Sequence, residues 1–248
     1  MSRFLVLMSD NRPLTSDINL ASYNSLAVAI NYEYCKKHGY DFKYYIPYLN
    51  SHPLLISLDP VTGKLRHAAW TKLLSVLHDI DSDYDYIVYI DSDCIFKDFD
   101  MTLDKFMSDH SSYNLVFLCN KPFSNPQAPC SGFFIVKVCE ESKKILKDWY
   151  CFDFAGRKNP FKFEQGAMFY IYETLNIKVL DLWMFEEMPD QFLRHISTRY
   201  ETQEPGRRIN YFTKFLNDKC IDFSQNINAI YPIKYDSTEF AIKTGLLK

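Results

Sequence analysis

Tyr86-Ile-Val-Tyr-Ile-Asp91-Ser92-Asp93 decides the reading of this chain. A run of β-prone apolar and aromatic residues passes directly into two aspartates spaced i, i+2. An apolar run of this length, bounded by polar residues, predicts a strand buried on both faces. Two acids at its C-terminal end have no packing role. In an open α/β sheet that edge is where ligands sit. Paired carboxylates there point to a hard divalent cation, and such a cation commonly serves a phosphate.

The flanking sequence builds a sheet around this strand. Residues 4–8 predict a first buried strand, which ends in the polar loop Ser9-Asp10-Asn11-Arg12-Pro13. From about 19 to 38, Leu20, Tyr23, Leu26, Ala27, Ile30 and Tyr34 recur at helical spacing, and Gly39 is a C-cap. Residues 42–46 are a second strand, so the chain opens as strand–helix–strand, the start of a parallel sheet. A helix over 65–80, with Trp70, Leu73, Leu74 and Leu77 inward, leads into the strand ending at Asp91. Thr102 caps a short helix through Met107. Strands follow at 115–119, 133–138 and 177–180, with helices at 140–150 and 164–175; a loop before the second of these strands holds Pro122, Pro126 and Pro129. Pro205-Gly206 is a turn before a helix at 209–216. No repeat, low-complexity segment or linker interrupts the pattern. The expectation is one α/β domain over 1–248, Rossmann-like, with a mostly parallel central sheet flanked by helices.

Composition limits the functions available. At 248 residues and 47% hydrophobic, the chain buries a sizeable core, and the aromatic content of 17% serves mostly that core. A formal net charge of -3 argues against nucleic acid as a partner held by bulk charge. No stretch approaches the roughly 20 apolar residues of a membrane span, and the N-terminus reads as a strand rather than a signal peptide. The seven cysteines include no Cys-x-x-Cys pair, which fits buried thiols in a reducing, cytoplasmic setting. Asp79-x-Asp81-x-Asp83-x-Asp85 mimics a calcium loop but has Tyr84 and Ile90 where an EF-hand needs Gly and Glu, so it reads as a solvated helix-to-strand loop.

Several blocks together resemble the metal-dependent GT-A glycosyltransferases. Arg66-His-Ala-Ala-Trp70-Thr-Lys72-Leu73, followed by the strand and Asp91-Ser92-Asp93, is similar to the lysine-bearing helix, strand and Asp-x-Asp of glycogenin-like enzymes. It is also similar to the plant xyloglucan xylosyltransferase and fungal α-galactosyl- and α-mannosyltransferase family. That second family has a segment like Tyr34-Cys-Lys-Lys-His38-Gly39-Tyr40-Asp41-Phe42 near its start. Cys130-Ser131-Gly132-Phe133-Phe134-Ile135 resembles an Asn-Ser-Gly strand, Glu164-Gln165-Gly166 an Asp-Gln-Gly helix start, and His195-Ile-Ser-Thr198-Arg199 a His-x-x-Gly-x-Lys element. The resemblance covers residues 1 to about 200 and implies a nucleotide-binding half over 1–100, an acceptor and donor-sugar half over 101–200, and a C-terminal extension over 201–248.

It implies a set of roles. Asp91, Asp93 and His195 would hold the metal, Mn²⁺ or Mg²⁺. Ser9, Asn11 and Arg12 would line the base and ribose pocket, and Ser92 and Ser131 would join the nucleotide-sugar site. Lys72 reads either as a solvated helix lysine or as a group reaching the donor phosphate or sugar. Arg199 would stand by the diphosphate, as a guanidinium fork suits phosphate oxygens. Glu164 would be the catalytic carboxylate nearest the donor sugar, Gln165 would hold sugar hydroxyls, and Gly132 would leave room for close approach. Three departures from the glycogenin-like pattern, Cys130 for Asn, Glu164 for Asp and Thr198 for Gly, leave the donor sugar open.

The function implied is transfer of a sugar from a nucleotide-diphosphate donor, UDP-linked by expectation, to a hydroxyl of a glycan or glycoprotein acceptor. Retention of anomeric configuration is implied; an inverting reaction would need a general base, for which Glu186 and Glu187 are further candidates. The family is usually membrane-anchored, so a chain without an anchor predicts a microbial or viral cytosolic enzyme or a trimmed piece. Two rivals stand beside this reading. A phosphohydrolase of the haloacid-dehalogenase type also uses Asp-x-Asp after a strand, but places it on the first strand and wants Thr or Val where Ile95 stands. A non-catalytic carbohydrate-binding relative is suggested by Cys130 and Thr198 and opposed by the intact aspartate pair.

Overall fold

A computed structural model describes residues 2–49, 57–119, 129–155, 163–180, 191–196, 204 and 206–247. In chain order these form β1 (Phe4–Ser9), α1 (Tyr23–His38), β2 (Asp41–Tyr48), β3 (Ser57–Leu58), β4 (Leu65–Arg66), α2 (Thr71–Asp79), β5 (Tyr86–Ile90), β6 (Cys94–Phe96), α3 (Leu103–Met107), β7 (Leu115–Cys119), β8 (Pro129–Lys137), α4 (Glu140–Tyr150), α5 (Glu164–Ile171), β9 (Ile177–Leu180), β10 (Leu193–His195), α6 (Arg207–Asp218), α7 (Phe223–Asn228), β11 (Ile233–Asp236) and α8 (Ser237–Lys243).

The main sheet has the order β11-β2-β1-β5-β8-β7-β9. Strand β8 runs antiparallel to both its neighbours, and every other adjacent pair is parallel. Side chains alternate across a strand, so the two central strands feed two cores. Phe4, Val6, Met8, Tyr86, Val88 and Ile90 enter one, beneath α1, α6 and α7. Leu5, Leu7, Ile87 and Tyr89 enter the other, beneath α2, α4, α5 and α8. Burial on both faces is why β1 and β5 carry no alternation of polar residues. The fold is the mostly parallel α/β sheet expected.

Several boundaries move for local reasons. Helix α1 begins at Tyr23 rather than near 19, because Leu20 lies in a turn and is 76% exposed. Its end is as expected: Gly39 takes φ +71°, the left-handed conformation glycine tolerates. The 65–80 helix is shortened at its start. Leu65 and Arg66 pair with β3, and a 3₁₀ turn at Ala68–Trp70 precedes α2. Arg66 points inward, donates to the Tyr150 carbonyl at 3.0 Å and lies about 4 Å from the ring centroids of Trp70 and Tyr150. Strand β8 starts at Pro129, which pairs with Cys119 instead of lying in a loop; Pro122 and Pro126 lie outside the described residues. Helix α5 gives way to a 3₁₀ turn at Tyr172–Thr174.

The aspartate run after α2 is not a uniformly solvated loop. Asp79 is buried and takes hydrogen bonds from Tyr45 and Lys43, both at 2.5 Å; Asp81 pairs with Lys143, and Asp83 with Arg3. Asp79, Asp81 and Asp83 thus each meet a cation, and Asp85 accepts from the Arg3 backbone N–H at 2.7 Å. All seven cysteines are free thiols. Among the described residues no helix is long and apolar enough to cross a membrane.

Candidate active site

The two aspartates leave β5 at its C-terminal end, beside the end of β1. Their backbone is fixed from three directions. The Asp91 N–H donates to the Gly132 carbonyl of β8 at 2.9 Å, and the Ile196 N–H donates to the Asp93 carbonyl at 2.9 Å. Asn31 of α1, wholly buried, donates to the Cys94 carbonyl and accepts from the Phe96 N–H, both at 3.0 Å. It therefore holds β6 immediately after Asp93. Antiparallel pairing of β6 with β10 sets His195 opposite Cys94.

This pairing gathers Asp91, Asp93 and His195 so that one ligand atom of each lies within 4.8 Å of the others. Two carboxylates and an imidazole form a donor set that suits Mn²⁺ and tolerates Mg²⁺. Gly132 makes the gathering possible. A Cβ there would lie 2.8 Å from His195 Cε1 and 3.3 Å from Asp91 Oδ2, so any side chain would push the histidine away. The β7–β8 register jumps at this point, from Phe117 opposite Phe134 to Leu118 opposite Cys130. Ser131 and Gly132 thus sit in a bulge that turns them from the sheet toward the aspartates.

Asp91 and Glu164 share one cation, and Asp93 meets two. Lys72 of α2, 3% exposed, lies 3.0 Å from Asp91 Oδ1 and 2.9 Å from Glu164 Oε1, and donates to the Ser131 carbonyl at 3.1 Å. Burial disfavours its ammonium, but Asp91 and Glu164 outweigh burial and hold it above the usual lysine range. Burial likewise works to raise Glu164, and Lys72 and Ser131 overcome it, leaving a carboxylate below its ordinary pKa. Asp91 goes the other way. Burial pushes it up, Lys72 pulls it down and the nearby Asp93 charge adds to the rise. Asp93 Oδ1 meets His195 Nε2 at 2.9 Å, and its Oδ2 meets Arg208 Nη2 at 2.7 Å. These partners bring Asp93 below the usual carboxylate range in spite of burial. Burial would lower His195, but Asp93 raises it to about 10.

A cleft of about 710 Å³ opens above this cluster. The expected residues Ser9, Asn11, Arg12, Lys72, Asp91, Ser92, Asp93 and Glu164 line it. Ser131 joins from beneath, donating from its hydroxyl to Glu164 at 2.9 Å and to the Gln165 side-chain oxygen at 3.2 Å. Glu164 Oε2 is buried without a hydrogen-bond partner among the described residues. Lys72 is neither solvated nor alone: it is the buried counter-ion of two acids. Arg199, with Thr198, Glu186 and Glu187, lies outside the described residues.

Some of the site was not anticipated. Asp10 forms a two-pronged pair with Arg12 and accepts from the Ser92 hydroxyl at 2.6 Å, which ties the β1 loop to the Asp-x-Asp segment. Tyr23 lies in the cleft with the guanidinium of Arg12 4.1 Å from its ring centroid and that of Arg208 at 4.5 Å. A signal for Asp10 existed, since it shares the Ser9–Arg12 loop. Arg208 offered only a helical position one turn before Phe212.

The architecture recurs in glycosyltransferases of known structure. A glycosyltransferase involved in glycosylation of the major capsid of PBCV-1 is 16% identical, with a TM-score of 0.59, over 86% of this chain and 99% of that one. The glycosyltransferase GlyE of Streptococcus pneumoniae TIGR4 is 12% identical, with a TM-score of 0.53, over 99% of this chain and 64% of that one. At such identities the likeness concerns the fold. No curated protein sequence matches the chain closely enough to count as a relative. The sequence profile of the galactosyl transferase GMA12/MNN10 family matches residues 2–204, a span that includes the aspartate pair, the β8 bulge, Glu164 and His195. On a match that spans residues 2–204 of its 248, this chain belongs to the galactosyl transferase GMA12/MNN10 family of glycosyltransferases.

Proposed function

We propose that this glycosyltransferase moves a sugar from a UDP-linked donor to a hydroxyl of a glycan or glycoprotein, with a divalent cation held by Asp91, Asp93 and His195. The observation that carries the reading is the convergence of those three side chains at the C-terminal rim of the sheet, where Asp91 and Asp93 line a cleft large enough for a nucleotide sugar. When bound, Mn²⁺ or Mg²⁺ supplies positive charge against the departing diphosphate. The remaining work falls to the chain. Ser9, Asn11 and Arg12 bind the nucleoside side of the donor, Arg12 being held in place by Asp10 and Ser92. Lys72 keeps Glu164 ionised and fixes its Oε1, which leaves Oε2 for the donor sugar. An ionised carboxylate there stabilises the positive charge that develops on the anomeric carbon as its bond to the phosphate oxygen breaks, and Gln165 holds sugar hydroxyls. Family membership sets aside the phosphohydrolase reading.

We further infer a single domain over 1–248, supported by β11 extending the main sheet at β2 and by Arg208 reaching Asp93. The seven free thiols support a reducing compartment, the cytoplasm.

A thermal-shift panel of nucleoside diphosphates with and without Mn²⁺ tests the function. A ligand that binds only the folded state stabilises by about 2.7 kcal/mol at a hundred times its Kd. For a chain of this size that is a rise of roughly 5–10 °C in Tm. UDP with Mn²⁺ is expected to give such a rise, and UDP alone a much smaller one. Indifference to every nucleotide, with or without metal, contradicts the proposal.

A further inference from the structure

The family profile ends at residue 204, yet a side chain from beyond it touches the candidate metal centre. Arg208 lies in the first turn of α6. Phe212 and Leu216, four and eight residues on, are buried in the core beneath α1. Residues at i, i+4 and i+8 share a helix face, so anchoring the two apolar residues turns Arg208 inward, where it is 4% exposed. Among the described residues its guanidinium bridges two segments: Nη2 donates to Asp93 Oδ2 at 2.7 Å, and Nε to the Ile196 carbonyl at 2.6 Å. Asp93 immediately precedes β6, and Ile196 immediately follows β10 and His195. The fork therefore bridges the chain on either side of the Asp93–His195 pair. An apolar residue at 208 would pack the helix without the desolvation cost of a buried charge.

We propose that Arg208 is a positioning residue of the metal centre. By holding Oδ2 of Asp93 it leaves Oδ1 as the oxygen turned toward His195 Nε2 and the cation, and by holding Ile196 it fixes the spacing of the two ligands. Arg208 does not itself line the cleft, although it packs 4.5 Å from the ring centroid of Tyr23, which does, so Mn²⁺ affinity measured without donor isolates its effect through Asp93. A lysine in its place keeps the charge but has no planar fork: its donors sit on one nitrogen, whereas Arg208 reaches the two segments with Nε and Nη2. The proposal rests on the metal reading above.

The test is Mn²⁺ affinity, measured by isothermal titration on wild type, Arg208→Ala and Arg208→Lys, with urea unfolding of the metal-free proteins alongside. Loss of a group that orients a metal ligand typically costs 10–100-fold in affinity. Arg208→Ala is expected to weaken Mn²⁺ binding in that range and Arg208→Lys by at least threefold. At saturating Mn²⁺ the kcat of the lysine variant should return to near the wild-type value, which a general loosening of the fold would not allow. Should the alanine variant fail to fold, the lysine variant decides. A loss of less than threefold, or tighter binding, in whichever folded variant decides overturns the proposal while leaving the metal reading intact. A wild type that takes up no Mn²⁺ overturns both.

Discussion

Asp93→Asn is expected to lower metal-dependent turnover by roughly a thousandfold with the fold intact. Asp93 is the side chain on which the centre converges: one oxygen meets His195 and the other Arg208. The amide keeps an oxygen for Arg208, so the helix stays tethered. What is lost is the negative charge that a divalent cation needs from its ligand. A bound metal contributes several kcal/mol of transition-state charge stabilisation, and each 1.36 kcal/mol is tenfold in rate, so a loss of about 4 kcal/mol is about a thousandfold. Donor hydrolysis and transfer rates, measured with circular dichroism to confirm folding, check this. Turnover within tenfold of wild type would mean that Asp93 holds no metal.

The second large effect concerns stability. Lys72→Met is expected to destabilise the protein by about 3–5 kcal/mol, the usual cost of leaving buried charges without their partner. The lysine is buried, and its removal strands both Asp91 and Glu164. At about 2–4 °C per kcal/mol for a chain of this size, Tm falls by roughly 6–20 °C. The pH dependence has a definite sign. Lys72 depresses the pKa of Glu164, so its support is present above the ordinary carboxylate pKa and is lost as pH falls through the folded value. The gap between wild type and Lys72→Met, in which burial raises Glu164 unopposed by the lysine, therefore narrows as pH falls into the acid range. Urea unfolding at neutral and acid pH measures it. A variant within 1 kcal/mol of wild type at pH 7 would show that the buried pairs contribute little.

The parts of this molecule written in local pattern could be read from sequence, and the parts made by distant pairing could not. The strand ending at Asp91 was legible because burial on both faces leaves a continuous apolar run. The Gly39 cap was legible because a left-handed residue ends a helix. Gly132, Glu164 and His195 came only through the family resemblance; nothing in a lone histidine at 195 announces a ligand. What brings it to Asp93 is pairing between β6 and β10, three residues each, too short to show any periodicity. Lys72 occupies an ordinary helix position, and its burial depends on acids 19 and 92 residues later in the chain. Arg208 is hidden for the same reason, since its partner Asp93 is 115 residues away. Leu20 erred the other way: an apolar residue in step with the helix lies before its first turn and faces solvent.

The central claim is that Asp91, Asp93 and His195 hold one divalent cation for a nucleoside diphosphate. Anomalous diffraction from a crystal grown with Mn²⁺ and UDP tests it most directly. The account predicts a single manganese peak bonded to those three side chains and to the diphosphate. A density map with UDP in the cleft and no manganese among them, or with manganese bound elsewhere, would contradict it.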